Sequence, residues 1–127
     1  MWPFGRKTKM SDHKTFAMTV NGKPHDTSAT FEVTNPATGA VVGLAPNATK
    51  ADLDVAVASA SKAYETWSQT TDEERAAALG AVAAKLGEAS EELAALITQE
   101  QGKPLNGVGS RFEMGGVGAW TGYAQAM

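Results

Sequence analysis

A chain of 127 residues has room for one domain of ordinary size. Its 43% hydrophobic and 20% charged content belongs to a folded globular chain and excludes wholesale disorder. A net charge of −3 offers nothing to attract a nucleic acid or an anionic membrane. With no cysteine in the sequence, disulfides, thiolate metal sites and thiol nucleophiles are excluded.

Arg6, Lys7, Lys9 and Lys14 crowd the first fourteen residues, and residues 1–14 are expected to be a disordered basic tail. Met10 is an alternative start of translation. MWPFGRKTKM lacks the apolar core of a signal peptide, and no window approaches the ~20 apolar residues that span a bilayer. The expected location is the cytoplasm.

Phe16, Met18 and Val20 alternate with smaller or polar residues, which is strand periodicity. Asn21-Gly22 follows and tolerates positive φ at both central positions of a tight hairpin turn. Pro24 limits the return arm to an edge strand or irregular structure. Phe31 and Val33 alternate again, Asn35-Pro36 and Thr38-Gly39 carry turn chemistry, and Val41, Val42 and Leu44 return as far as Pro46. Two short β-hairpins bury too little to stand alone, so a further layer is required.

The first helix is expected to start at Thr49, which caps the amides of Ala51 or Asp52. Asp52 favours the positive end of the helix dipole. Leu53, Val57, Ala60, Tyr64 and Trp67 then recur on one apolar face. Thr71-Asp72-Glu73-Glu74 reads as a capping box. Leu79, Val82, Ala83 and Leu86 follow, with Gly87 as the expected C-cap. Ser90 is expected to cap a third helix with the stripe Leu93, Leu96 and Ile97, stopped by Gly102 and Pro104.

The segment Pro104–Ala126 holds Gly107, Gly109, Gly115, Gly116, Gly118 and Gly122. Each glycine costs about 1 kcal/mol against alanine in a helix interior. The segment is therefore expected to be either irregular or a helix packed so closely that side chains would clash. Hydrogen-exchange protection is expected over Asp52–Ile97 and little of it over Gly107–Met127.

None of these glycines falls in a phosphate-loop or dinucleotide pattern, and no strong strand precedes them. His13 and His25 lack a second histidine or cysteine at metal spacing. The carboxylates Glu73-Glu74, Glu88 and Glu91-Glu92 sit at helix starts and junctions, where capping and solvation account for them. Tyr64 and Trp67 read as core rather than as stacking platforms.

Taken in order, Asn35-Pro36-Ala37-Thr38-Gly39, the run Asp52–Trp67, Arg75 after the Thr71 box, Glu91–Leu105 and the Tyr123-Ala124 pair resemble the start of the aldehyde dehydrogenase superfamily. The resemblance covers about Phe16 to Ala126. It implies an α+β fragment of two N-terminal β-hairpins followed by three to four helices, the beginning of the α/β aldehyde dehydrogenase fold. Residues 15–127 would then be the N-terminal part of its nucleotide-binding region. The family's cysteine nucleophile, glutamate base, oxyanion-hole asparagine and cofactor-binding lysine match no position here.

The resemblance also implies that Arg111, Phe112, Met114 and Gly115 line the aldehyde tunnel in a complete enzyme. The complete enzyme would use NAD or NADP, and this chain alone would bind neither and catalyse nothing. Expected partners are the remainder of an aldehyde dehydrogenase or further copies of the chain, with no nucleic acid and no membrane. The alternative is an autonomous, non-catalytic helical module that docks a partner.

Overall fold

The computed structural model describes residues 14–127. The expectations for the basic tail, Met10 and His13 lie outside the described residues, apart from Lys14. Four strands precede four helices: β1 (Met18–Val20), β2 (Lys23–His25), β3 (Thr30–Thr34), β4 (Val41–Pro46), α1 (Lys50–Trp67), α2 (Asp72–Glu88), α3 (Ser90–Gln101) and α4 (Ser110–Ala126).

Asn21 at φ 52° and Gly22 at φ 70° form the tight turn between β1 and β2, whose pairs are Val20↔Lys23, Thr19↔Pro24 and Met18↔His25. Antiparallel pairs alternate between bonded and non-bonded, and the pair that closes a two-residue turn is bonded. Pro24 therefore occupies a non-bonded pair, where its missing N–H costs no ladder bond.

β3 and β4 pair from Thr30↔Pro46 to Val33↔Gly43, and the register slips by one residue before Thr34↔Val41. Asn35 organises the connecting turn. Its side-chain oxygen accepts from the Ala37 amide at 2.9 Å and its carbonyl accepts from the Gly39 amide at 2.8 Å, with Gly39 at φ 70°. Lys14 is no part of a loose tail. The Leu44 amide donates to the Lys14 carbonyl at 2.9 Å and the Phe16 amide to the Leu44 carbonyl at 3.0 Å. Residues 14–16 thus run parallel beside β4, close over Gly43, where a Cβ would stand 3.0 Å from the Phe16 ring.

Thr49 and Thr71 each form a complete capping box, with Asp52 and Glu74 at the third helical position. Arg75 ties the α1–α2 connection by donating to the Thr70 carbonyl and hydroxyl and to Asp72. Gly87 is not the cap of α2. The helix runs on through Glu88, and Ala89, at φ −92° and ψ 2°, joins it directly to α3. Ser90 is accordingly the first residue of α3 rather than its cap, and no side chain caps that end. The two helices continue with so small a break that no left-handed residue is needed between them.

The first helix is covered on a different face from the expected one. Leu53 is 58% exposed and Tyr64 66% exposed. Asp52, Ala56 and Ser59 are the half-buried positions, and Ala56 and Ser59 border the groove against the β1–β2 turn. Small side chains let the hairpin approach, whereas the large stripe faces outward.

The fourth segment also corrects its expectation, because Ser110–Ala126 is a continuous helix. Gly107 and Gly109 lie before it, and no atom stands within 4 Å of a Cβ built at Gly115, Gly116, Gly118 or Gly122. Close packing of the glycines is not what holds α4. Its other side buries Ser110 and Met114 against α2 and α3, where Ala94 is fully enclosed. Tertiary packing of one face overrides poor helix propensity.

Candidate functional site

The α3–α4 junction positions the residues expected to act. Gly102 ends α3 in the left-handed region at φ 70°, which a residue with a Cβ adopts at a cost. A Cβ there would also lie 2.8 Å from the Pro36 ring. The Asn35-Pro36 turn and the Gly102-Lys103-Pro104 stop, far apart in sequence, therefore meet.

The connecting loop turns at Gly107, φ 68°, and closes on itself. The Ser110 amide donates to the Pro104 carbonyl at 2.9 Å and the Arg111 amide to the Leu105 carbonyl at 3.1 Å, so two orphan donors of the α4 N-terminus are satisfied by the loop. At Gly109 a Cβ would stand 1.8 Å from the Pro104 oxygen, so only glycine fits this closure. The hydroxyls of Ser110 and Thr98 share a hydrogen bond of 2.8 Å, and Ser110 has no exposed surface.

Arg111 reaches back to Glu91 in a fork, with Nε 3.0 Å and Nη2 2.7 Å from Oε2. It also donates to the side chain of Asn106. This contact holds the Glu91 carboxyl below its ordinary range and raises the Arg111 guanidinium, through the shared hydrogen bonds first. Lys103 pairs with Glu113 across the same loop. Phe112 is 66% exposed, Met114 only 8%, and Gly115 faces open space. The four expected tunnel residues thus divide between two faces. Phe112 and Gly115 look outward, Met114 enters the core, and Arg111 is committed to Glu91.

Sequence reasoning passed over Ser110, Thr98 and the Glu91–Arg111 fork. Glu91 carried a helix-start signal, and twenty residues of separation hold no periodicity that points to its partner. A second pairing was also missed. His25 Nε2 lies 2.9 Å from Asp52 Oδ1, and bonds from the Thr49 side chain, then from His25, pull the Asp52 carboxyl down to about 2.

No group of three or more metal-ligating side chains occurs among the described residues, and no described helix is long and apolar enough to cross a membrane. The described residues do not form a dinucleotide cradle. Such a cradle joins a parallel strand to a helix through glycines, whereas the described strands form two separate antiparallel pairs and the glycine cluster from Gly107 to Gly122 lies in a loop and within α4.

The family described as "Aldehyde dehydrogenase family" matches residues 23–126. The chain is similar to malonate-semialdehyde dehydrogenase 1 of Geobacillus thermodenitrificans, 48% identical over 77 residues, which are 61% of this chain and 16% of that protein. It is 37% identical over 112 residues to a probable aldehyde dehydrogenase of a Pseudomonas species, covering 88% of this chain and 22% of that protein. Among solved structures, the NAD-dependent aldehyde dehydrogenase of Sinorhizobium meliloti superposes with a TM-score of 0.84 at 30% identity over 99% of this chain and 26% of that one. PnpE in complex with nicotinamide adenine dinucleotide gives 0.81 over 88% and 23%. The chain thus spans about a quarter or less of each protein it resembles.

Proposed function

Since the chain belongs to the aldehyde dehydrogenase family, which matches it over residues 23–126, we propose that it supplies the hairpins and outer helices at the N-terminal side of an NAD(P)-dependent aldehyde-oxidising enzyme. On this reading residues 15–127 belong to the nucleotide-binding region. The N-terminal turn of α4, from Arg111 through Phe112 and Met114 to Gly115, borders the aldehyde path once the rest of the fold is present. Phe112 offers the exposed side chain, Gly115 leaves clearance, and Met114 and Arg111 hold the turn in place. NAD or NADP is bound by the remaining fold, with the cytoplasm as the place of action.

Alone, the chain turns over no aldehyde. The chemistry implied by the family begins with a thiolate adding to the aldehyde carbon, and this sequence contains no cysteine. None of the ion pairs at the α3–α4 junction supplies a covalent nucleophile. The observation that carries the reading is the superposition on an NAD-dependent aldehyde dehydrogenase over 99% of this chain.

A chimera tests it directly. Residues 23–126 replace the matching segment of the Sinorhizobium meliloti enzyme, and reduced nicotinamide is followed with short and aromatic aldehydes. The chimera is expected to turn over, and the isolated chain is expected to give no signal above buffer. A folded but inactive chimera, or activity in the isolated chain, overturns the proposal. The packing of α4 against α2 and α3 favours a second reading, a self-sufficient docking module. It gains support if the isolated chain unfolds cooperatively as a monomer while the chimera stays inactive.

A further inference from the structure

Asn-Gly occurs at Asn21-Gly22 and at Asn106-Gly107, and the structure treats the two very differently. The Asn21 side chain makes no hydrogen bond among the described residues, nothing lies within 4 Å of a Cβ at Gly22, and the turn is exposed. The hairpin carrying it has only three residues in each arm and pairs with no other described strand. Such a ribbon is marginal and opens locally with ease.

Asn106 is clamped instead. Its side-chain oxygen accepts from Arg111, which is itself forked onto Glu91 at 3.0 Å and 2.7 Å. The loop around it is closed by the Ser110-to-Pro104 bond of 2.9 Å and the Arg111-to-Leu105 bond of 3.1 Å.

We propose that Asn21 is a site of spontaneous deamidation, that Asn106 is spared, and that conversion of Asn21 loosens α1. The Gly22 amide nitrogen gives its proton to water and attacks Asn21 Cγ. The new N–Cγ bond forms as the Cγ–Nδ2 bond breaks, and Nδ2 leaves as ammonia. Water then opens the cyclic imide at either carbonyl, giving aspartate or isoaspartate. No electrons are exchanged, and water is the only co-reactant. Attack requires the turn to relax until the Gly22 nitrogen faces Cγ, and a glycine leaves that approach unobstructed. At Asn106 the guanidinium polarises the carbonyl, which favours attack. Orientation opposes it more strongly, because the Glu91-held fork keeps Cγ from swinging over the Gly107 nitrogen.

The consequence for α1 follows from the turn. Isoaspartate inserts an extra methylene into the main chain and adds a negative charge. A two-residue hairpin turn has no slack for it, and the register of β1 and β2 is lost. Val20, Asn21 and Gly22 border the groove against Ala56 and Ala60 of α1, so the helix loses its support.

The full chain is aged at mildly alkaline pH and mapped by peptide mass spectrometry, with a free peptide of residues 17–26 as reference. Asn21 is expected to gain about 1 Da, mostly as isoaspartate, well before Asn106, and amide protection across α1 is expected to fall in the converted fraction. N21G, which also accepts positive φ, should age without loss of α1 protection. N21D carries the charge without the extra backbone atom and should retain most of it. E91Q loosens the fork and should speed conversion of Asn106 alone. Conversion of Asn106 as fast as Asn21, an intact Asn21 while the free peptide converts, or unchanged α1 protection after conversion would overturn the proposal.

Discussion

Single residues carry several of the decisive contacts. Thr71 accepts from the Glu74 amide while Glu74 accepts from the Thr71 amide at 2.8 Å. Replacing Thr71 with alanine leaves the Glu74 amide without its partner and is expected to cost about 1 kcal/mol, measured as a lower urea midpoint at unchanged slope. G109A is expected to be far worse, because its Cβ would overlap the Pro104 carbonyl. The loop must then release the first amides of α4, and loss of helical signal from α4 would register it.

Asp52 gives a pH dependence of definite sign. Its carboxyl falls from 3.8 to about 2 on folding, so the unfolded chain binds the proton more readily. The stability this contributes is complete above the ordinary value of 3.8 and disappears as pH falls through about 2. Glu91, also lowered, adds acid sensitivity of the same sign. In D52N the acid-side loss of stability should be visibly smaller than in the unmodified chain. Equal loss in both would remove Asp52 as its cause.

At the scale of elements, legibility followed local chemistry. The Asn21-Gly22 turn, both threonine caps and the left-handed Gly102 stop were readable because a few adjacent atoms decide each of them. The face of α1 was misread. Leu53 and Tyr64 satisfy helical periodicity, but the nearby hairpin lies against the small side chains Ala56, Ser59, Ala60 and Ala63. In α4 the glycine penalties were counted correctly, while the gain from enclosing Met114 and Ser110 depends on helices that sequence spacing does not locate. At the candidate site, Arg111 and Phe112 were singled out by resemblance, whereas the Glu91 fork depended on tertiary geometry.

The protection order must be revised accordingly. α2, α3 and α4 pack on one another around Ala94 and Met114, whereas α1 rests on a hairpin with three-residue arms. Amide exchange is therefore expected to be fastest in α1 and slowest around Ala94 and Met114. Equal protection in α1 and α4 would contradict this arrangement.

For the molecule as a whole, most of the large exposed apolar side chains lie on α1 and α4. Leu53, Val57 and Tyr64 mark the first, and Phe112, Trp120 and Tyr123 the second. Trp120 and Tyr123 meet edge to face at 6.4 Å while both stay open to solvent. Two hairpins followed by three to four helices were legible, because the turns and both threonine caps mark their own boundaries, whereas the α2–α3 junction and α4 carry no side-chain cap.

The meeting of Pro36 with Gly102 has a kinetic consequence. It joins a β-turn to a helix stop across most of the described chain, and contacts of such sequence separation form only after a large loop has closed. G102A would strain φ 70° and press on the Pro36 ring 2.8 Å away. If this clasp closes after the transition state, the variant should unfold faster while refolding at nearly the original rate. A chevron whose unfolding arm rises and whose folding arm stays in place would identify the clasp as a latch set last. A depressed folding arm would place it in the nucleus instead.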